Sequence, residues 1–201
     1  MLRRWFTAAA LAVALGLVAA PASPATVLTF EGVGLGDNDP ITNQFPDFSF
    51  VDAMALIAGS SLNEIEFPPK SADTVMSGLA NTVRINFLTP ISAFGAFVTY
   101  IDGFSLEAYN SSNALLGAAT SAFGSNLLVS GDPGSSPNEF LEVSFANMAY
   151  VVFRAGPSGF FTADDLTYTA GVRVPAPEPG VLGLMLSGGV AILTARRRRR
   201  A

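Results

Sequence analysis

The sequence predicts an all-β fold, an antiparallel β-sandwich of jelly-roll-like type. Three observations carry this expectation. Between residues 26 and 176 no helix-period segment of useful length occurs; short apolar runs alternate with Gly, Asn, Asp, Ser and Pro. The stretch TVRINFLT (82–89) alternates with period two: Val83, Ile85 and Phe87 to one side, Arg84 and Asn86 to the other. Phenylalanine is abundant, with 16 copies mainly on the strand-like runs, where rings pack well on a pleated surface. A transmembrane β-barrel is the competing architecture, but its aromatic girdles and ten-residue strand spacing are not evident.

The elements follow in order. VLTF (27–30) opens the domain, and FSFVDAMAL (48–56) alternates in its first half. After 82–89, SAFGAFVTYI (92–101) is more continuously apolar, as expected of a central strand covered on both faces. FSLEAYNSSNALLGAAT (104–120) reads as a hairpin whose turn is Asn110-Ser111-Ser112-Asn113. SGDPGSSPNE (130–139) is a surface loop. FLEVSF (140–145), AYVVFRAG (149–156) and DDLTYTA (164–170) supply three more strands, with the last connection punctuated by PSG (157–159). No internal repeat is visible.

Both ends of the chain are of a different character. Arg3 and Arg4 precede an uncharged apolar run from Trp5 to Ala20. Small residues at Ala20-Pro21-Ala22 and Ser23-Pro24-Ala25 then suit a cleavage site. Residues 1–25 are read as a secretory signal peptide, with a retained N-terminal anchor as the alternative. The folded domain is then 26–174. At the other end Pro175, Pro177 and Pro179 make the chain stiff and extended. Gly180 to Ala195 is uncharged; as a helix it would span about 24 Å, short of a hydrocarbon core of about 30 Å. Arg196, Arg197, Arg198, Arg199 and Arg200 follow, a stop that stays on the cytoplasmic side while the domain is exported. A plain C-terminal anchor would give the same pattern.

Charge and missing residue types narrow the chemistry. From Thr26 to Ala176 there are four basic residues against fifteen acidic ones, a net of −11, compared with −5 for the whole chain. Such a domain repels nucleic acid and attracts cations. It contains no Cys and no His. It therefore folds on its hydrophobic core alone, and Ser-His-Asp, Cys-His and His-based metal chemistry are excluded.

The three-part tail carries a specific resemblance. Pro177-Glu178-Pro179, a short glycine-containing hydrophobic segment (180–195) and the terminal arginines resemble the PEP-CTERM sorting signal, here over residues 175–201. The resemblance implies passage through the secretory translocon and a transient inner-membrane stage in a Gram-negative bacterium. Recognition by an exosortase, removal of the tail near Glu178, and delivery to the cell surface or matrix beside exopolysaccharide would follow. Glu178 is then a recognised residue in a substrate, with no catalytic part. The body, through LTFEG (28–32), ITNQF (41–45), ISAFGAFV (91–98) and FFTADDLTY (160–168), is loosely similar to β-sandwiches that recur with this signal.

For the body itself the candidates are few. Paired carboxylates are the remaining catalytic option, but nothing marks a pair: Glu64 and Glu66 share a strand face, and adjacent Asp164 and Asp165 would point to opposite faces. The expectation is a non-enzyme, a structural, adhesive or glycan-associated module; the alternative is a secreted carboxylate-dependent glycan-active enzyme. In a jelly roll the first and last strands are neighbours. Glu31, Asp37, Asp39, Asp164 and Asp165 would then converge on one calcium ion, which takes six to eight oxygens. The rival reading of these residues is a solvated acidic rim with Asp164 or Asp165 capping a turn. For sugar binding the candidates are Tyr100, Tyr109, Tyr150 and Tyr168, with Phe160 and Phe161 placed in a loop.

Overall fold

A computed structural model describes residues 24–157 and 159–171. The expected signal peptide as far as residue 23, the motif Pro177-Glu178-Pro179, the segment 180–195 and the arginines Arg196–Arg200 lie outside the described residues. Among those described, the secondary structure is β throughout. It runs β1 (Ala25–Leu28), β2 (Pro40–Ile41), β3 (Phe48–Val51), β4 (Ala53–Ile57), β5 (Thr74–Gly78), β6 (Thr82–Tyr100), β7 (Phe104–Tyr109), β8 (Leu115–Thr120), β9 (Glu139–Ala155) and β10 (Phe161–Ala170).

Two long antiparallel strands organise everything else. β6 has 19 residues and β9 has 17. The first half of β6 pairs with β3 on one side and with the second half of β9 on the other, and β7 and β8 extend that sheet. The second half of β6 pairs with the first half of β9 and with β10, which leads to β5, β4 and β2. The result is a sandwich whose two sheets share two strands. The expected separate runs 82–89 and 92–101 are one strand, and so are 140–145 and 149–156. Pro90, which lacks an N–H, and Asn147, with φ 61°, sit where the two strands bend and their register shifts. Strands that switch sheets at such bends are a known way of turning a sandwich corner.

Three other expectations are corrected. Residues 48–56 form two strands, broken at Asp52 in the left-handed region (φ 61°). The last strand starts at Phe161, which is buried, so Phe161 is a core residue. Glu64 and Glu66 lie in a turn, where Glu66 Oε2 accepts the N–H groups of Val129 and Ser130. The expected neighbourhood of first and last strands holds: β1 pairs with β10 from Ala25↔Thr169 to Leu28↔Leu166.

The core lies between the sheets and is largely aromatic. Phe104 and Phe153 from one sheet meet Phe94, Tyr100 and Phe161 from the other, with ring centroids 5.2–6.0 Å apart. Alternation explains which residues arrive there: Val83, Ile85 and Phe87 face in, while Arg84 faces solvent. A second, smaller cluster (Leu56, Leu62, Phe67, Val75) lies on the far side of β4 and β5. It packs with Leu127 and Phe160, so the loops 58–73 and 122–138 cover that sheet. Buried Asn126 pins the second loop: its Oδ1 accepts Tyr100 N–H, and its Nδ2 donates to the carbonyls of Val98 and Ser136. The side chain thus supplies strand-like partners where no strand is present.

Candidate functional site

The acidic residues expected to hold calcium lie on strand β10 (Asp164, Asp165) and on the segment between β1 and β2 (Glu31, Asp37, Asp39), turned toward hydrogen-bond donors. Asp164 is buried; its Oδ2 accepts the backbone N–H groups of Lys70 and Ser71, each at 2.9 Å, and its Oδ1 accepts Asp165 N–H at 2.7 Å. Burial pushes its carboxyl up to about 6, against the downward pull of the Ser71 and Asp165 N–H bonds. Asp165 Oδ1 accepts the Ser71 hydroxyl at 2.7 Å, and Glu31 Oε1 accepts Thr74 N–H at 3.2 Å. Three carboxylates therefore fasten one strap, residues 70–74, across the edge of the sheet.

Asp37 and Asp39 are engaged elsewhere. Asp37 Oδ1 accepts Ile57 N–H and the Ser61 hydroxyl, and its Oδ2 accepts the Ser60 hydroxyl. The Ser61 hydrogen bond is the largest influence and holds the Asp37 carboxyl below its ordinary value, against a desolvation that opposes it. Asp39 Oδ2 accepts Gly36 N–H at 2.6 Å. Among the described residues no cluster of three or more acidic side chains is arranged to hold a metal ion. The strand geometry of Asp164 and Asp165 also differs from expectation. Asp165 has φ 45°, and the β10–β6 register shifts between Asp164 and Thr167. This bulge brings both carboxylates to the same Ser71.

The tyrosines divide three ways. Tyr100 is fully buried and its hydroxyl bonds Ser121 and Glu139; burial pushes its phenol above the ordinary value. Tyr109 and Tyr150 are stacked, 4.7 Å apart and 6° from parallel, and the Arg84 guanidinium lies 3.6 Å from the Tyr150 ring centroid. Tyr109 donates to Glu107, which grips Arg154 at 3.0 and 3.1 Å; that hydrogen bond first of all holds the Glu107 carboxyl below its ordinary value. Tyr150 donates to Asn113. Both faces of the Tyr150 ring are thus in use. This outer face is a satisfied network and offers no free Tyr150 face for stacking.

Tyr168 is different. It stands at the rim of a cleft of about 600 Å³ where β6 and β9 change sheets, within the size range of small-molecule sites, about 300–1,000 Å³. Phe48, Pro90 and Ile91 give the cleft an apolar wall; Asp47, Thr89 and Asn147 bring polar groups to it. Phe48 meets the Tyr168 ring edge-on at 4.9 Å and is itself edge-on to Phe87 at 5.7 Å, so the tyrosine is fixed from below. Gly171 closes one side: a Cβ there would come within 2.7 Å of the Pro90 carbonyl oxygen. The side chains of Asp47, Thr89, Asn147 and Tyr168 make no hydrogen bond to the described residues. That contrasts with Glu31, Asp37, Asp39, Glu66, Glu107, Asp164 and Asp165, all of which do.

Tyr168 is recognisable in the sequence as an aromatic candidate. Asp47, Thr89 and Asn147 are not, because only the shared bend of two strands brings them together. Pro90 inside a strand-like run is the one local signal that a bend lies there.

No family model matches the chain, and no curated protein matches it. Among solved structures it is similar to the K2 cleaved adhesin domain of Lys-gingipain (TM-score 0.47, 14% identity, 73% of this chain and 99% of that one). It is also similar to a DUF4465 family protein from Bacteroides caccae (TM-score 0.46, 12% identity, 73% and 99%). A third similarity is to the xylanase 10B CBM22-1–GH10 modules of Clostridium thermocellum (TM-score 0.31, 11% identity, 72% and 30%). All three likenesses are low in both score and identity.

Proposed function

We propose that the protein is an exported cell-surface or matrix module that associates with glycan, exopolysaccharide above all, and holds a sugar in the Tyr168 cleft. One observation carries this reading: a sugar-sized concavity combines the fixed Tyr168 ring with three polar side chains, Asp47, Thr89 and Asn147, that make no side-chain hydrogen bond to the described residues. Sugars present an apolar C–H face and a fringe of hydroxyls, which suits such a lining. The jelly-roll-like sandwich acts as a rigid frame, and binding without bond cleavage is its role. The tail, with Pro177-Glu178-Pro179, residues 180–195 and Arg196–Arg200, supports a route through the translocon and inner membrane to an exosortase.

Two experiments test this. Replacing Tyr168 with alanine is expected to weaken binding of the native exopolysaccharide about three- to tenfold by calorimetry, the worth of one aromatic contact. Unchanged affinity would remove the cleft from the account. Release of reducing ends, abolished by Asp→Asn or Glu→Gln variants, would replace the binding role with glycan cleavage. For the sorting route, intact-mass measurement of surface-released protein is expected to show loss of Arg196–Arg200. Retention of those arginines would reject tail removal.

A further inference from the structure

We infer that the sugar held in the cleft carries an amino group, with Asp47 and the Tyr168 ring receiving its ammonium. The inference rests on the glycan reading above and narrows it to a chemical class. Among the described residues, Asp47 is the only charged one lining the cleft, and its carboxylate has neither an ion-pair nor a hydrogen-bond partner among them. Among the described residues no cation lines the cleft. The domain's described basic residues are committed elsewhere: Lys70 lies over Phe97, Arg84 over Tyr150, and Arg154 on Glu107.

A uronate would therefore meet a carboxylate with nothing to neutralise it, on a domain of net charge −11. A protonated amine meets the opposite situation. It has only donors, and the cleft offers a free carboxylate, a free phenol oxygen, a free amide oxygen at Asn147 and an aromatic ring. The acidic domain also steers cations inward. The ring is held in place by Phe48 before any ligand arrives, so little ordering is needed on binding.

The test uses the full chain in detergent micelles, titrated with a glucosamine hexamer, a glucose hexamer, a galacturonate hexamer and hexalysine. The glucosamine hexamer is expected to bind tightest. Asp47→Asn is expected to weaken it about fivefold and flatten its salt dependence. Tyr168→Leu should weaken it further. Asp47 is exposed and makes no side-chain hydrogen bond, so Asp47→Asn keeps the fold. Equal binding of the glucose hexamer with no effect of Asp47→Asn, or preference for the galacturonate hexamer, overturns the inference and leaves the glycan reading standing. Hexalysine binding as tightly as the glucosamine hexamer, insensitive to Asp47→Asn, overturns it as non-specific attraction. Absence of binding to every sugar overturns both.

Discussion

Replacing Phe153 with alanine is expected to destabilise the domain by about 3–5 kcal/mol, read as a lower denaturant midpoint with little change in slope. Phe153 is fully buried on β9 and packs against Phe94, Phe104 and Phe161 at 6.0–6.1 Å. It thus ties the ring of one sheet to rings of the other. Truncation leaves a cavity among rigid neighbours that cannot collapse into it, which is why the cost exceeds simple transfer. A loss under about 1 kcal/mol would mean that the two sheets do not meet through this residue. With no cysteine in the chain, no disulfide ties the two layers together.

The second large effect is expected at Asp164. Asp164→Ala removes the acceptor for Lys70, Ser71 and Asp165 N–H groups, and should cost about 2–4 kcal/mol through those unmet donors. The same residue gives a pH signature. Its carboxyl is raised from 3.8 to about 6 in the folded state, so the folded protein holds that proton more tightly than the unfolded chain. Its contribution is full below about pH 4 and is lost as pH rises through about 6. Wild type is therefore expected to gain stability between pH 7 and pH 5. The gain should shrink in Asp164→Ala, whose difference from wild type cancels the general relief of acidic self-repulsion. Asp37, Glu66 and Glu107 act in the opposite sense. Their carboxyls are held low, so their contributions are present above their ordinary values and are lost only at lower pH. An identical pH dependence in both proteins would contradict the buried, proton-hungry Asp164.

The strands were legible where alternation is unbroken. Val83, Ile85 and Phe87 face the core as their spacing implies, and Asn110–Asn113 turns the hairpin with Asn113 at φ 61°. Legibility failed where parity changes. On β6 the inward residues switch from odd numbers (Ile85, Phe87, Ile91) to even ones (Phe94, Ala96, Val98) just after Pro90, where the register with β9 shifts between Ile91 and Ala93. On β10 they switch from Phe161 and Ala163 to Leu166 across Asp165. A local pattern shows a broken alternation as two strands; only pairing with β9 or β1 shows that the chain continues. The acidic residues show the same limit. Glu31, Asp164 and Asp165 do meet the same strap, but what joins them is mostly the backbone N–H groups of Lys70, Ser71 and Thr74, which carry no side-chain signal, with one serine hydroxyl, that of Ser71, on Asp165. In the cleft, Asp47, Thr89 and Asn147 are ordinary surface residues until the bend of β6 and β9 sets them beside Tyr168.

The most direct test is an amide chemical-shift map of the protein titrated with its own exopolysaccharide. The perturbed amides are expected to cluster at Asp47, Thr89, Asn147 and Tyr168, around the crossing of β6 and β9. Shifts confined to the open face at Arg84, Glu107 and Arg154, or no shifts at saturating polysaccharide, would contradict a glycan held in the cleft.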